Sequence, residues 1–270
     1  MVLQNKNAII YGAGGSMGGA VARAFAGAGA RVFLTGWNLN SVQKVADEIL
    51  AAGGSADVAQ VDALNAMQIA QHIDNVLKKC GSVDISFNAT ATSVVQNIPL
   101  TEIAVDDFMN PLTQMLKTRF LTAIAAGKAM MTQGSGVILS LTATPGGIGY
   151  PYTAGFAPAC SAIETFSANL AAELGFYGVR VVNIRSGGSP DSKVFKDAID
   201  SEPESMAPII RAMENDTMLK KLPQMADIAN TAVFLVSDLA GKITGVTVDV
   251  TCGTTAGLNY RVGSDTFSGK

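Results

Sequence analysis

Apolar residues gather at positions 7–11, and the turn Gly12-Ala13-Gly14-Gly15-Ser16-Met17-Gly18 then opens a helical pattern that runs through Gly29. The same alternation repeats along the chain. Strands are predicted at 31–35, 56–61 and 83–88, with helices at 39–52 and 65–79 between them. The second half predicts a long helix at 106–132, a strand at 137–141, a helix at 153–174 and a strand at 179–184. An irregular stretch at 186–223, a helix at 225–237 and a strand at 246–250 follow. Strands alternating with helices of this length imply right-handed crossovers and one parallel sheet covered on both faces, a doubly wound α/β architecture. No shift in composition divides the halves, so residues 1–270 are expected to form a single domain. Residues 186–223 contain Pro190, Pro203, Pro208 and Pro223 with Met206, Met213 and Met218. Methionine adapts to apolar partners, and this segment is the expected substrate-side flap, with plain core filling as the alternative.

Composition narrows the function classes. Apolar residues make up 48% of the chain and charged residues 15%, which suits a richly buried globular protein. The net charge is −3 and no basic cluster is present, so nucleic acid is not an expected partner. No apolar run reaches the roughly 18 residues of a membrane span, and no charged-then-apolar leader pattern opens the chain. A cytoplasmic protein without membrane contact is the expectation. Cys80, Cys160 and Cys252 are widely spaced and odd in number, against both a disulfide framework and a zinc site, and no metal is expected. His72 is the one histidine, and its helical pattern places it on a wet face. A hydrolase triad would have to rest on that residue alone.

The glycine turn carries the clearest chemistry. Gly12, Gly15 and Gly18 follow a strand and open a helix, where a residue without Cβ lets a pyrophosphate approach backbone N–H groups at the positive helix end. In this context the pattern signals a dinucleotide-binding Rossmann fold, with helix–sheet packing as the alternative use of the glycines. After the second strand, Thr35-Gly36-Trp37-Asn38 offers neither the carboxylate that accepts from a ribose hydroxyl nor a basic residue for a 2′-phosphate. NADP or NAD is therefore expected, with a slight lean to NADP. Trp37 either stacks near the adenine or covers the sheet edge.

These motifs, with Asp62-Ala63, Phe87-Asn88-Ala89-Thr90, Gly178-Val179-Arg180-Val181-Val182-Asn183 and Ile243-Thr244-Gly245, give the chain a resemblance to the short-chain dehydrogenase/reductase (SDR) family over about residues 6–253. Tyr11 and Ser16 stand where the usual loop has Thr and Gly. The resemblance implies a cofactor site at Gly12, Gly15, Ser16, Met17, Gly18, Trp37, Asn38, Asp62, Ala63, Asn88 and Ala89. It also implies packing as a homodimer or homotetramer through two long helices. The family's catalytic Asn, Ser, Tyr and Lys align here with Met115, Ala143, Phe156 and Cys160, and no Tyr-x-x-x-Lys occurs anywhere in the chain. A phenyl ring has no exchangeable proton, and a thiol supplies no ammonium charge.

Three readings remain open. A substitute donor among Tyr150, Tyr152, Thr142 and Thr144 could serve an atypical oxidoreductase, with Tyr152 and Thr142 as the named candidates; Tyr152 would lie one turn before Phe156 if the helix began early. An apolar pocket could instead act by orientation in a cyclase, isomerase or dehydratase. Or the chain is a noncatalytic cofactor-binding protein. A small apolar substrate or ligand is the expected partner in each case. Cys160, with no His or Lys beside it in sequence, is expected to be a buried small hydrophobe rather than a nucleophile.

Overall fold

The computed structural model describes residues 1–257, and the expectation of one domain over 1–270 extends over 258–270, which lie outside the described residues. Seven strands form one sheet in the order β3-β2-β1-β4-β5-β6-β7. They are β1 (Asn7–Tyr11), β2 (Arg31–Gly36), β3 (Ser55–Gln60), β4 (Ile85–Asn88), β5 (Gly136–Ala143), β6 (Val179–Ser186) and β7 (Thr247–Val250). Every neighbouring pair is parallel, as the strand–helix alternation predicts. The order reverses between β1 and β4, which opens a crevice at their carboxyl ends.

Helices α1 (Ser16–Gly27), α2 (Leu39–Ala51) and α8 (Met225–Val236) cover one face, burying Phe25, Val45 and Leu235 against Ile10, Leu34 and Val182. Helices α3 (Ala66–Cys80), α4 (Val105–Gln133) and α5 (Phe156–Leu174) cover the other, where Ile69, Met130 and Leu170 pack on Ile9, Phe33 and Ile138. Ile9 and Ile10 thus enter opposite cores, as the two-residue period of a strand requires. Asn38 and Asn65 cap α2 and α3 by accepting from the second and third backbone N–H groups of each helix.

Three expectations need correction. Residues 186–223 are not irregular throughout, because they contain α6 (Lys193–Ser201) and α7 (Pro203–Asn215). Pro203 opens α7 at a position where its missing N–H costs nothing. The helix predicted at 153–174 begins only at Phe156, since Tyr152 and Ala154 adopt φ values of 59° and 48° that interrupt a right-handed helix. His72 is 9% exposed rather than on the wet face, because α3 packs that side against the sheet.

Candidate active site

The cofactor loop is shaped by close backbone approach. Gly12 has φ +78°, and a Cβ placed on it would meet the carbonyl of Ala89 and the N–H of Thr90 at 2.9 Å. The N–H groups of Gly12 and Ala13 both donate to the carbonyl of Thr35, so β1, β2 and β4 hold the loop together. Gly15 is the N-cap of α1 and supplies no side-chain cap. The first N–H groups of α1, on Ser16, Met17 and Gly18, therefore remain available to an anion. A pyrophosphate fits this donor set: backbone N–H groups at a positive helix end with no side-chain cap. The Ser16 hydroxyl accepts from the N–H of Lys193 at 2.9 Å, tying the start of α6 to the loop.

The other predicted cofactor positions cluster along the same strand ends. Trp37 is 74% exposed, and its carbonyl accepts from the Gln60 side chain. Asn38 Oδ1 is engaged by Asn40 and Ser41 N–H at the start of α2. Thr35 turns its hydroxyl inward to the carbonyl of Ile10, which leaves it no part in cofactor choice. Asp62 accepts from the Leu64 N–H, and Ala63 is buried. Asn88 is buried and fully used: Nδ2 donates to the Thr118 carbonyl and Thr122 Oγ1, while Oδ1 accepts from the N–H and hydroxyl of Thr90. Ala89 donates its N–H to the Tyr11 carbonyl. Asn88 thus orders the turn that crosses over Gly12.

Beyond the loop, a cleft of about 230 Å³ lies between the carboxyl ends of β5 and β6 and the 186–223 segment. Ala143, Thr144, Tyr150, Phe156, Met213 and Leu222 are among its lining residues. A larger space of about 760 Å³ adjoins it at Leu222 and runs toward Asp249 and Cys252. The smaller cleft is the candidate active site because the aligned positions Ala143 and Phe156 line it. Met115, Ala143, Phe156 and Cys160 belong to one apolar cluster with Ala159 and Ile163. Burial pushes the Cys160 thiol up to about 11, with a partly opposing backbone hydrogen bond at Ala143, so the thiol is neutral near pH 7.

The two named substitute donors are placed differently. Tyr152 is 55% exposed and is not among the cleft-lining residues, whereas Tyr150 lines it. Thr142 is buried on the sheet, where its hydroxyl accepts from Asn183 Nδ2 at 2.7 Å and donates to Glu164 Oε1 at 2.8 Å. Glu164 in turn pairs with Arg185, which also reaches Asp249. Arg119, unremarked in the sequence, is 3% exposed beside this cluster, with Nη1 on the Thr90 carbonyl at 2.8 Å. An arginine midway along a helix ordinarily reads as a solvated residue, and this one is hidden by tertiary contacts with Thr90 and Leu141.

A family model described as "Enoyl-(Acyl carrier protein) reductase" matches residues 12–255. The protein belongs to the SDR family. Among curated SDR relatives, the 7alpha-hydroxysteroid dehydrogenase of Escherichia coli K12 is 29% identical over 259 residues, 95% of this chain and 97% of that one. A short-chain type dehydrogenase/reductase from Mycobacterium marinum superposes with a TM-score of 0.81 at 25% identity, covering 94% of this SDR chain and 97% of its own. NAD+-bound xylitol dehydrogenase gives a TM-score of 0.85 at 22% identity, over 93% and 99% of the two chains, a likeness of fold. None of the described helices of this SDR protein is long and apolar enough to cross a membrane.

Proposed function

We propose that this protein is an atypical SDR oxidoreductase-like protein that holds a nicotinamide dinucleotide in the Gly12–Gly18 cradle and a small apolar ligand in the neighbouring cleft. One observation carries the reading: the four aligned catalytic positions, Met115, Ala143, Phe156 and Cys160, converge on a single apolar cluster in a chain whose α1 start is an open anion cradle. The bound dinucleotide would supply the hydride; the chain's own residues bind, orient and exclude water. Gly12 and the α1 N–H groups receive the pyrophosphate, Asn88 fixes the crossing turn, and Phe156 and Ala143 give the cleft an apolar wall. Loss of a positioned general acid costs about 10²- to 10⁴-fold in rate, so the usual Tyr–Lys proton transfer does not operate here.

The cofactor is NADP or NAD, with the lean to NADP supported by the lack of a carboxylate in Gly36-Trp37-Asn38. An exposed groove of about 730 Å³ between α4 and α5, lined by Leu116, Phe120 and Phe166, supports a homodimer or homotetramer of this cytoplasmic protein.

A second reading rests on Tyr150, whose position in the cleft lining puts a phenol in the same cleft as Ala143 and Phe156. Fluorescence titration with NADPH and NADH, followed by assay over ketones, enones and imines, tests both. Binding with turnover that Tyr150→Phe abolishes and Tyr152→Phe spares assigns Tyr150 as the donor. Binding without turnover assigns a nonredox or cofactor-sensing role. No binding of either cofactor to folded protein overturns the proposal.

A further inference from the structure

Among the described residues, Arg119 is a buried cation without a counter-ion. Its Nη1 donates to the Thr90 carbonyl at 2.8 Å, to Thr90 Oγ1 at 2.9 Å and to Thr118 Oγ1 at 3.2 Å, and Nη2 lies 3.5 Å from the Leu141 carbonyl. Nε is buried with no partner. Every one of these acceptors is neutral, and no ion pair among the described residues includes Arg119. Burial pulls the guanidinium down to about 10, which still leaves it charged at pH 7. Cys160, its nearest ionisable neighbour by electrostatic influence, holds a neutral thiol there and adds no compensating charge.

The location gives that charge an object. Helix α4 starts at the carboxyl ends of the strands, and helical side chains lean toward the helix N-terminus, so Arg119 rises toward the crevice rather than away from it. Its contacts at Thr90 and Leu141 sit at the ends of β4 and β5. In a doubly wound sheet the pyrophosphate lies on α1 and the first nucleoside over β2, which leaves the second nucleoside to the β4–β5 side. Fixed charge in a water-poor site acts strongly on a charge that appears nearby.

We propose that Arg119 makes this protein a selective binder of reduced dinucleotide: its unpaired positive charge opposes the cationic ring of NAD(P)+ and leaves the neutral dihydronicotinamide of NAD(P)H unopposed. This rests on the dinucleotide reading above. It also supplies what an apolar cleft lacks, a means of telling the two redox states apart.

Calorimetric titration of the full chain with NADPH, NADP+, NADH and NAD+ tests it without any turnover. The reduced form of the preferred pair is expected to bind about tenfold or more tightly. Arg119→Lys keeps the charge and should keep most of that ratio, while Arg119→Met should bring it toward unity, with folding checked by circular dichroism. Equal affinities in the unaltered protein would overturn the inference by themselves, whether or not the variants fold. So would an unchanged ratio in folded Arg119→Met. Failure of all four dinucleotides to bind the unaltered, folded protein sinks the dinucleotide reading too, and that outcome is distinct from equal binding.

Discussion

The hydroxyl of Thr142 donates to Glu164 Oε1 at 2.8 Å while accepting from Asn183 Nδ2 at 2.7 Å. Both capacities of a buried hydroxyl are thereby used between β5, β6 and α5. The acceptor Glu164 also pairs with Arg185 and lies against Gly146, where an added Cβ would meet Glu164 Oε1 and Cys160 Cβ. Thr142 is a tie between the sheet and α5.

Replacing Thr142 with Val removes that tie and leaves the Asn183 amide short of an acceptor. We expect a loss of about 1–3 kcal/mol in unfolding free energy, because the valine is isosteric but the buried polar groups around it are not relieved. Denaturant titration reads the loss. Dinucleotide affinity should move less than twofold, since the glycine cradle lies on the other side of β4; a large affinity change with no stability change would place Thr142 in the binding site instead.

Gly12→Ala should cost binding as well as stability. The new methyl would sit at φ +78° and 2.9 Å from backbone atoms of Ala89 and Thr90, which cannot swing away as a flexible side chain could. The two loops must separate. We expect a stability cost of about 1–3 kcal/mol and loss of NADPH-induced fluorescence change, measured together with the melting temperature. Retention of full affinity would show that the cradle does not hold the cofactor.

These contrasts mark what the chain revealed before folding and what it concealed. The sheet and its helices follow from the spacing of apolar residues, which is a local signal, and β1 matches its predicted bounds at Asn7–Tyr11. The glycine turn was legible for the same reason. Tyr152 was not, because its place depends on where α5 begins, and that is decided by the left-handed backbone at Tyr152 and Ala154 rather than by helical propensity. The burial of His72 and Arg119 has no sequence signal, because polar residues in helices look solvated until a neighbouring element covers them. Cys160 was legible as a small buried residue, yet its proximity to a guanidinium from α4 is a tertiary fact with no sequence signal.

His72 carries a pH dependence that follows from its burial. Burial lowers its pKa from 6.5 to about 4, opposed by the charge of Asp57. The unfolded chain therefore binds a proton between about pH 6.5 and 4 that the folded protein refuses, and stability falls as pH drops through that window. The full contribution is on the order of 3 kcal/mol, present above pH 6.5 and lost by pH 4. Urea unfolding at stepped pH should show this slope, and His72→Gln should flatten it. A parallel slope in the variant would assign the effect to other groups.

Cys160→Lys restores the residue type of the aligned family position and is expected to fail for an electrostatic reason. Cys160 is fully buried, and its thiol already feels the guanidinium of Arg119. An ammonium there would add a second cation beside Arg119, and the Glu164 carboxylate that also acts on this position is already paired with Arg185. Removing charge compensation from a buried ion costs about 3–5 kcal/mol, so the single variant should be strongly destabilised. Arg119→Met should recover part of that loss when combined with Cys160→Lys, giving a coupling of about 1–3 kcal/mol in a double-mutant cycle read by thermal and urea unfolding. Additive behaviour would mean that the two positions do not share one electrostatic site. A clear coupling would mean that Arg119 and a lysine at position 160 compete for one buried site, so that lysine is not tolerated there while Arg119 remains.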